Sequence, residues 1–429
     1  MHIQNKFYAV PGFITLFFSF VFISCSGLPV NNAPETVTEG DIQNKALKDQ
    51  NILATWESKP KVVSEGNGLD MILKTSEGMN FIYAKRNEDG QQNLLYTSSH
   101  NMGDTFAKAY PINQAGISAH GENDPIIQQG PGIGMFALWQ GGDSIMFSRS
   151  MNFGRSFSPE IKITDGPEKT SYNFQTMSVS PDGTIYIAWL DGRDKETNPA
   201  GTSSLYIARS FDQGKTFGAN IKVAGAICPC CRPALAFGND GQVFIAWRHV
   251  YSGDNRFIVV ASSSDKGQTW SKETRVTKEG WKVNGCAHSG PAMNFTHGKL
   301  YVAWYSGANN KAALKAAVSS DNGQSFDYLG EIQGNVYDAN HPDMQIIEGE
   351  PWLIFQGREP NTNNGWGSIQ PWLVKIADGK PSKPEKLPFL GDSISYPSLY
   401  PGSGGRIYAT WTEIGEDGPK AVLCRGRLK

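Results

Sequence analysis

Two short stretches gather most of the chain's thiols, Cys228-Pro-Cys230-Cys231-Arg232 and Gly285-Cys286-Ala-His288. Thiolates and imidazoles at that density are the donor set of a soft metal ion, copper or zinc. In an oxidising compartment the same thiols are also the material of disulfides, for instance one joining Cys286 to a member of the first stretch. The spacing is unlike the Cys-x2-Cys pairs of zinc sites, so it does not choose between the two metals. Adjacent cysteines such as Cys230 and Cys231 bond each other only in a strained geometry. Two cysteines stand apart, Cys25 and Cys424. Cys424 lies in the apolar run Ala421-Val-Leu-Cys424 and reads as a core residue. Without Cys25 an odd number remains, leaving a thiol unpaired in a monomer. A second set of groups precedes prolines. Asp124-Pro125, Arg232-Pro233 and Tyr396-Pro397 offer a carboxylate, a guanidinium and a phenol, with His341-Pro342 in a comparable place.

Short strands must position these groups. Glycine makes up 47 of 429 residues and aromatics 11%, a composition of tight turns and strands and not of helical bundles. A charged fraction of 19% with this apolar content excludes a disordered chain. The 39 basic against 41 acidic residues leave no footprint for nucleic acid. One pattern, Ser-x-Asp/Asn-x-Gly-x-Thr/Ser-aromatic, recurs five times, with its Asp/Asn at Asn101, Asn152, Asp212, Asp265 and Asp321, 51 to 60 residues apart. Each copy predicts a hairpin turn. The Asp or Asn side chain accepts turn N–H groups, the glycine takes positive φ, and the aromatic opens the next strand. A second unit, an apolar hairpin strand usually ending in Ala-Trp, recurs at Phe136–Trp139, Ile185–Trp189, Phe244–Trp247, Leu300–Trp304, Trp352–Phe355 and Ile407–Trp411, with Phe81–Ala84 as a seventh.

These turns resemble the Asp-box repeats of sialidases and related β-propellers, over most of residues 51–429. The resemblance implies an all-β propeller of four-stranded blades. Seven hairpins favour seven blades, with six as the alternative, the number in sialidases proper. The last unit has room for three strands, so Thr55–Val63 is expected to supply the fourth and close the ring between the chain ends. Asp-box turns then lie on one face. The inter-blade connections lie on the other, around the channel mouth, with His120, His249 and His341 beside the cysteine stretches.

The resemblance also implies roles. Sialidase chemistry uses a Tyr nucleophile assisted by a carboxylate, an Asp acid/base and arginines for the substrate carboxylate, an exception to the two-carboxylate scheme. Ser395-Tyr396-Pro-Ser398-Leu399 resembles the nucleophile region, which makes Tyr396 the expected nucleophile and Asp124 the acid/base. Glu348 or Glu413 is expected to assist Tyr396. Arg193, Arg232, Arg248 and Arg358 are expected to clamp the ligand carboxylate. The chain departs from the family in lacking an Arg-Ile-Pro in its first blade.

His2 and Lys6 precede an apolar run from Phe13 to Ile23 that is too short to span a membrane, followed by Ser24-Cys25. This resembles a lipoprotein leader. Residues 1–24 are expected to be removed, Cys25 acylated, and residues 25–50 to act as a tether. The expected protein is extracytoplasmic and monomeric, held to a bacterial membrane, the outer one favoured. Three functions follow: recognition or hydrolysis of an anionic glycan at the channel mouth, non-catalytic binding of copper or zinc, or an envelope scaffold.

Overall fold

The computed structural model describes residues 52–73, 78–199, 201–283, 285–359 and 367–429. The expected leader and tether, with Cys25, lie outside the described residues. Four three-residue 3-10 turns apart, the regular structure among the described residues is all β. Among the described residues no helix is long and apolar enough to cross a membrane.

The strands run in antiparallel meanders. In the first, Asn67–Leu73 pairs with Met79–Arg86, which pairs with Gln92–Ser99, which pairs with Tyr110–Pro111. The same order recurs along the chain. The first strands of successive meanders are Asn67–Leu73, Ile126–Gln129, Tyr172–Val179, Ala234–Phe237, Ala292–Thr296, Tyr337–Ile347 and Ser393–Pro401. The meanders that begin at Tyr172 and Ala234 are joined into one nine-stranded sheet through the pair Ile227 and His249. Each first strand lies beside the next, and Ser393–Pro401 lies beside Asn67–Leu73. The final strand, Gly418–Leu428, takes both opening strands as partners: Ala54 faces Leu428, and Lys61 faces Leu423.

Second strands are apolar without alternation because both their faces are covered. Every position of Ile185–Asp191 is buried, as are the first six of Met79–Arg86. The core lies between meanders. Phe136 and Leu138 pack with Ile187 and Trp189 of the next meander, and Ala303 and Leu314 with Leu353 and Phe355. Trp139, Trp189, Trp247 and Trp411 are among the largest fully buried side chains. No meander buries its faces alone, so stability is shared between neighbours.

The five Asp-box turns are built alike. At Ser210–Thr216 the serine Oγ accepts from Gly214 N at 2.9 Å, and Asp212 Oδ1 accepts from Thr216 N at 2.9 Å. Gln213 and Gly214 both take positive φ, at 58° and 75°. Ser263 and Asp265 repeat these bonds to Gly267 and Thr269 at 2.8 and 2.9 Å. The aromatic then packs on the neighbouring sheet, as Phe217 does against Phe147 at 5.0 Å.

Candidate functional site

The first strands bound a cavity of about 800 Å³, which they line along their length, from Leu69 to Leu73 and from Ala234 to Phe237 for instance. Four of these strands are bulged there: their register shifts between Asn67 and Asp70, Asn173 and Thr176, Asn340 and Asp343, and Ser395 and Ser398. Inside each bulge one residue takes positive φ: Gly68 at 64°, Phe174 at 54°, His341 at 51° and Tyr396 at 52°. That region is costly for a side chain, and more so before proline, so His341 and Tyr396 are held in strained backbone at the cavity wall. Bulges re-aim side chains in this way. Gly68 has a different task. A Cβ there would stand 2.8 Å from Asp124 Oδ1, so the glycine leaves room for that carboxyl.

Asp124, Arg232 and Tyr396 all line the cavity, together with Glu122, His341, Asp70 and Asp343. Burial pushes the Asp124 carboxyl up to about 7; Arg232 works against this and Asp70 with it. Burial also lifts Asp70 to about 6, although Tyr400 donates to it at 2.6 Å and Ile127 N at 2.7 Å. Tyr396 is pushed up to about 12 by burial and then by Glu122 and Asp124. Burial raises Asp343 as well. Near neutral pH, Asp124 therefore divides between acid and carboxylate, the condition for donating a proton in one step and taking it back in the next.

Arg232 is held by backbone. Its Nε donates to Glu122 O at 2.7 Å and its Nη2 to Asp124 O at 3.3 Å. Glu122 was not among the expected site residues, yet it ties three connections together. Its Oε2 accepts from Arg232 N at 2.7 Å and its Oε1 from Gly290 N at 2.5 Å. His341 Nε2 stands 3.9 Å from Glu122 Oε1, buried and without a hydrogen-bond partner among the described residues. Burial raises Glu122 and lowers His341, so the fold favours the uncharged form of both. The His341 ring meets the edge of Tyr396 at 4.5 Å between centroids.

The other expected arginines do not line this cavity. Arg193 is held by Asp165 and Asp191, each at 2.8 Å, and lies over the Tyr206 ring. Arg248 is buried, donating to the carbonyls of Ser289 and Tyr305 at 3.0 and 2.8 Å. Arg358 reaches Asp338 at 3.4 Å and the carbonyl of Gly367. The expected four-arginine clamp is thus reduced to Arg232 at the cavity. Glu348 is equally displaced, an exposed residue at φ 53° in the two-residue turn between Tyr337–Ile347 and Glu350–Arg358. Glu413 is buried in its own meander, accepting from Leu390 N and the Trp411 indole at 2.6 and 3.1 Å.

The thiols of the two cysteine stretches do come together. Cys228 Sγ lies 3.7 Å from Cys230 Sγ and 3.5 Å from Cys231 Sγ, all three buried. Cys230, Cys286 and His288 form a second group whose donor atoms lie within 4.8 Å of one another. Cys424 is buried in another core cluster, among Val422, Ala409 and Trp411.

Several known proteins share this architecture. The model of the BNR repeat-like domain family matches residues 133–409. No curated protein sequence matches the chain. Among solved structures, the polysaccharide lyase Uly1 aligns with a TM-score of 0.52 at 10% identity, over 86% of this chain and 91% of its own. A Dyadobacter fermentans protein of unknown function aligns at 0.50 and 13% identity, over 88% and 98%. A Trypanosoma rangeli sialidase in complex with the inhibitor DANA aligns at 0.50 and 15% identity, over 85% of this chain and 59% of the sialidase. At such identities the likeness is one of fold. The family match spans more than half of the sequence, and the chain belongs to the BNR repeat-like domain family.

Proposed function

We propose that this protein binds an acidic glycan in the cavity between the first strands and cleaves its glycosidic bond there. One observation carries the reading: Arg232, Asp124 and Tyr396, drawn from three meanders, line a single polar cavity of a sialidase-like fold. Arg232 pairs with the ligand carboxylate, its guanidinium oriented beforehand by two backbone carbonyls. Asp124, poised near neutrality, protonates the leaving oxygen. Tyr396 attacks the anomeric carbon as its phenolic proton passes to cavity water; it is a neutral nucleophile suited to a centre next to a carboxylate. Water then cleaves the tyrosyl–sugar bond, giving one proton to Asp124, and Tyr396 is reprotonated. A single cation in place of a clamp suits a ligand with one acidic group per binding register.

The architecture around this site is proposed as a seven-bladed propeller, supported by the seven first strands that neighbour one another in turn and by the pairing of Ala54–Trp56 with the last strand. The leader and Cys25 support a monomeric lipoprotein held outside the cytoplasm, its glycan partner reached from the membrane surface. The test of function is turnover of aryl glycosides of acidic sugars, an α-sialoside and a β-glucuronide, by the full chain. Tyr396→Phe and Asp124→Asn are expected to lower the chemical step by about a hundredfold or more each. Failure of the folded protein to bind or cleave any acidic glycoside overturns the reading.

A further inference from the structure

We infer that Cys228, Cys230 and Cys231 form a buried three-sulfur site for one cuprous ion, loaded from the channel face through Cys286 and His288. The distances come first. Three thiolates around one ion at about 2.3 Å stand roughly 3.8–4 Å apart, and the recorded separations from Cys228 are 3.5 and 3.7 Å. All three sulfurs lie within 4.8 Å of one another.

The surroundings combine apolar cover, from Phe174, Val250 and Ala287, with one guanidinium. Arg256 aims Nη1 at Cys228 Sγ from 3.4 Å, and the same nitrogen donates to Gly285 O at 2.8 Å. It therefore braces the first stretch against the connection that carries Cys286. Glu122 makes a second brace, gripping the backbone of Arg232, one residue after Cys231, and of Gly290, two after His288. Cys228 N is fixed by Arg248 O at 2.9 Å.

The donor number selects the metal. Structural zinc takes four ligands in a tetrahedron. Here the two groups of three share Cys230 alone, so no fourth described donor lies within 4.8 Å of all three buried sulfurs. Thiolate-only coordination with three donors suits Cu(I), a soft ion. The shared residue also suggests the route. The rim donors Cys286 and His288 are exposed and the trio is buried. An ion held by Cys230, Cys286 and His288 moves inward by exchange: its bonds to Cys286 and His288 break and the Cys286 thiolate takes a proton from water, bonds to Cys228 and Cys231 form as those thiols release their protons to water, and Cys230 stays bonded. Copper remains cuprous throughout.

The experiment is anaerobic competition of the reduced full chain against a chromophoric bicinchoninate–Cu(I) complex. The wild type is expected to remove one equivalent. The double variant Cys228→Ser, Cys231→Ser is expected to lose affinity by about a hundredfold or more. Cys286→Ser with His288→Asn, the latter chosen because Asn tolerates the φ of 45° at that position, keeps the equivalent but takes it up at least about tenfold more slowly. Cys424→Ser behaves as the wild type. X-ray absorption of the wild-type complex, which depends on no variant folding, is expected to show three sulfurs and no nitrogen. Copper retained by the double variant, nitrogen or oxygen as the main neighbours, or a wild type whose thiols are locked as two disulfides each overturn the assignment.

Discussion

Replacing Asp124 by Asn changes how stability depends on pH, by an amount that follows from the site. The Asp124 carboxyl is raised from 3.8 to about 7 by burial in the cavity wall. The fold therefore favours the protonated form. The stabilisation from that proton is complete below the unfolded value of 3.8 and is lost as pH rises through about 7. A full shift corresponds to about 4 kcal/mol at 1.36 kcal/mol per unit. Water in the cavity reaches the half-buried carboxyl, so about 2–4 kcal/mol is the working range. Asn keeps the shape and cannot ionise. The variant should match the wild type near pH 4 and exceed it by that margin at pH 8. For a domain of about 380 residues with an unfolding entropy near 2.1 cal/mol/K per residue, this is a gain of roughly 2–5 °C in Tm. Calorimetric scans of both proteins from pH 4 to 8 read it directly. Parallel Tm profiles for wild type and Asp124→Asn would refute the assigned shift.

Three further perturbations address the fold and the cavity wall. Deleting 51–65 strips both opening strands from one edge of Gly418–Leu428, leaving it paired only with Arg406–Gly415; the whole domain is expected to lose cooperative melting. Removing Ser26–Lys45 should leave Tm unchanged, and equal effects of the two truncations would count against closure by the chain ends. Tyr400→Phe deletes the 2.6 Å bond to Asp70; it is expected to cost about 1–3 kcal/mol in a denaturant titration. It should also move the Asp70 carboxyl above its value of about 6, read by carbon NMR of that carboxyl.

The local parts of this molecule were legible in its sequence. An Asp box closes within seven residues, so Ser210, Asp212, Gly214 and Thr216 reveal the turn without any distant partner. The X-Pro pairs at Asp124, Arg232 and Tyr396 were legible for a similar reason, since the proline interrupts the ladder locally, just before Ile126 and Ala234 and within the bulge of Ser393–Pro401. Glu122 was not, because its partners Arg232 and Gly290 stand 110 and 168 positions away. Asp70 and Asp343 were hidden by the bulges that turn them toward the cavity, a register change no alternation pattern announces. The arginines failed for another reason. A face assignment fixes the end of a strand but not the depth or the partner, and Arg193 is held at its own strand end by Asp191, two residues away. Glu348 was misplaced because Tyr337–Ile347 runs eleven residues and carries it to a hairpin turn.

The claim that the cavity is a site for an acidic sugar is tested most directly by a crystal structure of the full chain soaked with an acidic monosaccharide. The account predicts the sugar carboxylate in hydrogen-bonding reach of the Arg232 guanidinium, with the anomeric carbon facing Tyr396 and its exocyclic oxygen toward Asp124. A sugar seated away from Arg232, or an empty cavity at saturating ligand, would contradict it.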